Sequence, residues 1–64
     1  MLCRRMRGLR EHAGLTQMEV AEVLCVSQAA YSRLEKGEVE VSLTKLFSLS
    51  ELYGLTLQDL IKGI

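Results

Sequence analysis

The 64-residue sequence has no proline and no tryptophan, and its only aromatic residues are two Tyr and one Phe. Without proline, nothing in the chain forbids a helix outright. With almost half the residues apolar, the composition is that of a compact, helix-rich domain and not of a disordered chain. Histidine occurs once, as His12, and cysteine twice, as Cys3 and Cys25. That is too little for a metal cluster or for a nucleophile–base pair with supporting groups, and no metal, cofactor or enzymatic activity is expected. The two cysteines lack CxxC spacing and are read as free thiols, with Cys25 a small buried or half-buried residue. No run approaches the roughly eighteen apolar residues of a membrane span, and no apolar stretch follows the Arg-rich residues 1–10 as it would in a secretory signal. A cytoplasmic protein without a membrane partner is the expectation.

An excess of charge is lacking too. The formal net charge is zero, whereas a nucleic-acid binder usually carries a basic patch. The distribution is uneven, however. Residues 1–36 hold six Arg/Lys against four Glu, and residues 37–64 hold two Lys against four acids. A basic end and an acidic end imply modest non-specific affinity for a polyanion. Length adds a further bound. A chain this short forms one domain, residues 1–64, and buries only about 60% of its unfolded surface, so association with a second copy would add useful stability.

The organising stretch is Thr16–Gly37, TQMEVAEVLCVSQAAYSRLEKG. Thr16 followed by Glu19 has the spacing of a capping box. Val20, Ala21 and Leu24 then share a helical face over 17–24. After a break at Leu24-Cys25-Val26, Ser27 caps a second helix over 28–36 with Ala30, Tyr31 and Leu34 inward, and Gly37 ends it. Two helices joined by so short a turn make a helix-turn-helix unit (16–37), whose second helix is of the kind that enters a DNA major groove.

On either side the periodicity predicts three more helices. The first spans 2–13, with Leu2, Met6, Leu9 and Ala13 as its apolar stripe, Gly8 inside it and Gly14 after it. Its arginines are either a solvated face or phosphate attractors. Glu38-Val39-Glu40-Val41 alternates but is too short for a lone strand and reads as an extended loop. Ser42 caps a helix over about 43–53, with Leu43, Leu46, Phe47, Leu49 and Ser50 inward. Thr56 caps a last helix over 57–62, with Leu57, Leu60 and Ile61 as its apolar positions and Gly63 closing it.

The pattern RxxRxxxGLTQxxxAxxLxVSQxxYSRLEKG, with the following Ser42-Leu43, Leu46, Gly54 and Leu57-Leu60-Ile61, resembles the DNA-binding domain of the lambda-repressor-like (Cro/XRE) regulators over residues 2–62. The resemblance implies an all-α, compact five-helix domain with 28–36 as recognition helix. It implies base contacts from Gln28, Ala29, Ser32 and Arg33. Of these, a glutamine amide can pair bidentately with adenine, and an alanine methyl can touch that of thymine. It further implies phosphate contacts from Thr16, Gln17, Tyr31 and Lys36, and a structural ion pair between Arg10 and Glu35. Tyr31 stands where the family mostly has Ile or Val, so a core role with its hydroxyl at the rim is the competing assignment. Three departures stand out. Cys25 replaces a common turn glycine, Val41 replaces a common proline, and the acids Glu38 and Glu40 occupy a loop that is often basic.

Two functions compete. One is a sequence-specific regulator binding double-stranded DNA as a homodimer on an inverted repeat, with a dimer surface drawn from Val39, Val41, Leu57, Ile61 and Ile64. The other is a protein-interaction module of the same fold, whose main partner is another protein. The zero net charge and acidic loop favour the second, and Gln17 and Gln28 the first.

Overall fold

The computed structural model describes residues 2–62, which form five helices: α1 (Leu2–His12), α2 (Gln17–Val23), α3 (Gln28–Lys36), α4 (Leu43–Tyr53) and α5 (Leu57–Lys62). The expected boundaries hold to within a residue. Ile64 and Gly63 lie outside the described residues.

The boundaries are set by side-chain caps. Thr16 Oγ1 accepts from Glu19 N at 3.1 Å while Thr16 N donates to Glu19 Oε1 at 2.8 Å, which completes the capping box. Ser27 accepts from Ala30 N, Ser42 from Lys45 N and Thr56 from Asp59 N, at 3.1, 3.3 and 3.0 Å. Each pairs one of the backbone donors that a helix start leaves free.

The first four helices end alike. Arg10, Ala21, Arg33 and Ser50 carbonyls accept the N–H groups of Leu15, Val26, Glu38 and Leu55, at 2.9–3.0 Å, around a residue with positive φ. This is the Schellman closure. In three cases the left-handed residue is Gly; after α2 it is Cys25, with φ 59°. The departure at Cys25 therefore keeps the glycine's backbone conformation, and a side chain there costs about 1 kcal/mol. Cys25 is exposed, not buried or half-buried as expected, on the left-handed turn that closes α2.

The core is Met6, Val20, Ala21, Leu24, Tyr31, Leu34, Leu49 and Leu60, one or two residues from each helix and Leu24 from the cap of α2. Leu2, Leu9, Leu15, Val26, Val41, Leu46 and Leu57 pack half-buried around them. Two assignments on α4 are corrected: Leu43 and Phe47 are 60% and 49% exposed, and the inward side is Leu46, Leu49 and Ser50. Ala13 and Ile61 are likewise exposed. Gly8 sits in open space within α1, with nothing to meet a side chain, so it marks no close packing. Arg5 ties the chain ends together, donating from Nε to the Leu60 carbonyl and from Nη2 to that of Asp59, both at 3.4 Å. It is thus engaged with α5 and is not a free cation. No described helix is long and apolar enough to cross a membrane.

Candidate nucleic-acid interface

Helix α3 is divided lengthwise. Tyr31, Leu34 and Glu35, at helical spacing, are buried. Gln28, Ala29, Arg33 and Lys36 are exposed on the other side, with Ser32 half-buried beside them. The structure therefore gathers all four expected base-contacting residues and Lys36 onto one outward strip. Tyr31 is not among them. It is 0% exposed, so no phosphate reaches it, and its ring fills the centre of the core. The helix-turn-helix packing brings α2 against α3, and α1 packs on α3 as well.

The inward side of α3 is anchored electrostatically. Glu35 takes Arg10 Nε on Oε2 at 2.6 Å and Arg10 Nη2 on Oε1 at 3.2 Å, a two-pronged pair whose side chains are only 13% and 4% exposed. The remaining end of the guanidinium, Nη1, donates to the Leu15 carbonyl at 3.1 Å. Arg10 thus joins α1, the α1–α2 connection and α3. Burial alone would raise the Glu35 pKa. The bonds from the Arg10 guanidinium and the Gln17 amide outweigh it and hold the carboxyl below its ordinary value.

Gln17 proved to have a second commitment that sequence reasoning missed. Its Nε2 donates to Glu35 Oε1 at 3.1 Å, from the first residue of α2. Because an ionised carboxylate only accepts, the amide must turn its NH2 inward. One of its two N–H groups is thereby engaged and the other is left. Thr16 is exposed, but its hydroxyl oxygen is occupied by the α2 cap.

Two tyrosines close this polar pocket. The hydroxyls of Tyr31 and Tyr53 are buried and find no hydrogen-bond partner among the described residues. Desolvation first, and then the Glu35 carboxylate, raise both phenol pKa values above the ordinary range. The place of Tyr53 near Glu35 and Arg10 has no signal in its local sequence, since those charges lie on α3 and α1.

Elsewhere on the surface the charges are mixed. Arg4 and Arg7 on α1 are exposed; Arg7 faces Glu11 at 3.4 Å in a solvent-open pair of little energetic weight. Glu38 and Glu40 are exposed on the loop after α3, where they would repel any phosphate brought near. Of the expected association residues, Val39 and Ile61 are exposed, while Val41 and Leu57 are half-buried against the core and offer a partner little. Among the described residues no group of His, Cys, Asp and Glu is placed to hold a metal ion.

Comparison with known proteins agrees with this geometry. A helix-turn-helix family model matches residues 6–60. The chain is 40% identical over 63 residues to the HTH-type transcriptional regulator DdrOP3 of Deinococcus deserti, covering 98% of the chain and 49% of that protein. It is 30% identical over 63 residues to the SPbeta prophage-derived uncharacterized HTH-type transcriptional regulator YonR of Bacillus subtilis, covering 98% of the chain and 58% of that protein. The chain thus spans about half the length of these relatives. The match takes in α2, the turn and α3 together with the helices that anchor them, and this chain belongs to the Cro/C1-type helix-turn-helix family of transcriptional regulators.

Proposed function

We propose that this domain binds double-stranded DNA sequence-specifically, with α3 in the major groove and two copies on an inverted repeat. The observation that carries the reading is the lengthwise division of α3. Its outward strip holds an amide, a methyl, a hydroxyl and two cations, while its inward strip is locked to α1 and α2. A rigidly held helix with polar tips is what base reading needs, because specificity depends on placing short side chains against fixed base edges. Gln28 and Ala29 lie at the helix start, where the approach to base edges is closest. Ser32 and Arg33 follow one turn on. Lys36 and the second amide N–H of Gln17 serve phosphates, with the exposed Thr16 beside them, and position the helix without reading sequence. In the dimer the two α3 helices lie about 34–36 Å apart, one turn of DNA.

The test is selection of bound duplexes from a random pool at low salt, followed by titration of the winners. Recovery of a palindromic sequence, with affinity falling about 0.9 log units per log unit of salt for each phosphate contact, supports the reading. If no sequence is enriched over background, the domain is not a DNA reader. The acidic Glu38–Glu40 loop with its exposed Val39 then becomes the primary surface, and a protein the partner.

A further inference from the structure

The Gln17 side chain is half-buried at the start of α2, and it is held from behind. Its Nε2 donates to Glu35 Oε1 at 3.1 Å. The same oxygen takes Arg10 Nη2 at 3.2 Å, and Oε2 takes Arg10 Nε at 2.6 Å. Glu35, itself on α3, thus accepts bonds from α1 and from α2. The chemistry of these groups decides which end of the amide lies inside. An ionised carboxylate offers only lone pairs, so it takes an N–H and rejects the amide carbonyl. The amide nitrogen carries two N–H groups, and with one engaged inward the second is left for an outside acceptor. Arg10, bonded to both carboxylate oxygens, offsets their charge, so an anion approaching Gln17 does not meet a bare carboxylate behind it. Without an acceptor behind it, a half-turn of the last torsion would exchange nitrogen for oxygen, and only the nitrogen attracts an anion.

We propose that Glu35 is a positioning residue for DNA affinity: by accepting one N–H of Gln17 it holds the second ready for a backbone phosphate. This rests on the DNA-binding reading above and assigns a part in binding to a buried residue that touches no DNA. The gain is preorganisation. A long side chain ordered before the complex forms loses less freedom on forming it. Because phosphates carry no sequence information, the effect falls on affinity for every site and leaves base preference alone.

The experiment uses the full chain and a duplex carrying the selected site. Removing Glu35 alone would leave Arg10 unpaired, so Arg10→Met and Glu35→Leu are combined, which leaves no lone buried charge. Circular dichroism checks that this paired variant is folded at the assay temperature. Should it not fold, Glu35→Gln takes its place: its carbonyl keeps the Arg10 Nε bond, while its NH2 faces the Gln17 NH2 and turns that amide over. Either variant is expected to bind about two- to tenfold more weakly, on the selected site and on its single-base variants alike. Gln17→Met also weakens binding. Adding Gln17→Met to either variant costs no more than Gln17→Met costs alone, because residue 17 then has no amide to orient. A merely structural role for Glu35 gives losses that add. Additive losses, full-strength binding by the Glu35 variants or by Gln17→Met, or an altered base preference in the Glu35 variants overturns the proposal while leaving DNA binding intact. Failure to select any sequence removes the DNA-binding reading and this proposal together.

Discussion

Replacing Arg10 by Met isolates the contribution of the buried pair, and the structure fixes its size and its pH dependence. Methionine keeps the length of the side chain but removes both bonds to Glu35 and the one to the Leu15 carbonyl. The Glu35 side chain, 4% exposed, then holds a buried charge with only the Gln17 amide bonded to it. Breaking a buried pair from one side costs about 3–5 kcal/mol. A domain of this size has roughly 3–10 kcal/mol in total, so the variant is expected near its unfolding midpoint at pH 7. In wild type the Glu35 carboxyl is held below its ordinary value. Its contribution is therefore present above the unfolded-state pKa and is lost as pH falls through the folded one. In the variant burial dominates, the carboxyl shifts upward, and protonation relieves it. The gap between the two proteins must narrow toward about pH 4. Urea unfolding followed by circular dichroism at both pH values measures this. The companion Arg10→Met/Glu35→Leu should recover much of the loss, because the uncompensated charge is gone. A loss under about 1 kcal/mol at pH 7, or an equal loss at both pH values, would refute the assignment of a buried, desolvated pair.

Four further substitutions carry expectations at single positions. Gly8→Ala should stabilise the domain by about 1 kcal/mol, since nothing occupies the space a methyl would enter; an unchanged or lowered urea midpoint would contradict this. Cys25→Gly should raise stability by roughly 0.5–1 kcal/mol, the left-handed strain relieved less the entropy glycine adds to the unfolded chain. Destabilisation there would mean that the thiol makes a contact worth more than the strain. On the proposed function, Gln28→Ala should cost about 1–3 kcal/mol and relax preference at one base pair, while Gln17→Ala weakens every sequence alike. Competition binding against single-base variants of the selected site separates the two, and an unaltered preference profile for Gln28→Ala would remove it as a base reader.

The helix ends were legible because they are local chemistry. A hydroxyl at Thr16, Ser27, Ser42 or Thr56 can reach a backbone N–H only three residues away, and the distances agree. The Arg10–Glu35 pair was legible only through family resemblance, since nothing in 25 residues of separation announces it. The errors were directional. Leu43, Leu46, Phe47, Leu49 and Ser50 occupy one arc of about 160° on α4, since one residue step turns a helix by about 100°. Leu49 and Leu46 lie toward one margin of that arc and Leu43 and Phe47 at the other, and apolarity alone does not say which margin turns inward. Arg5 read as one more surface cation because its acceptors are carbonyls of α5, more than fifty positions on. The Gln17 amide appeared free for the same reason, its acceptor lying 18 residues away on another helix.

That bond between Gln17 and Glu35 has a mechanical consequence. The carboxylate that fixes the inner side of α3 also grips the first side chain of α2, so the proposed backbone-holding residue and the proposed base-reading helix share one joint. Rotation of α3 cannot occur without moving Gln17. The outward residues take no part in that joint, so they are free to be exchanged as a set, as letters are changed in a type holder whose frame stays bolted.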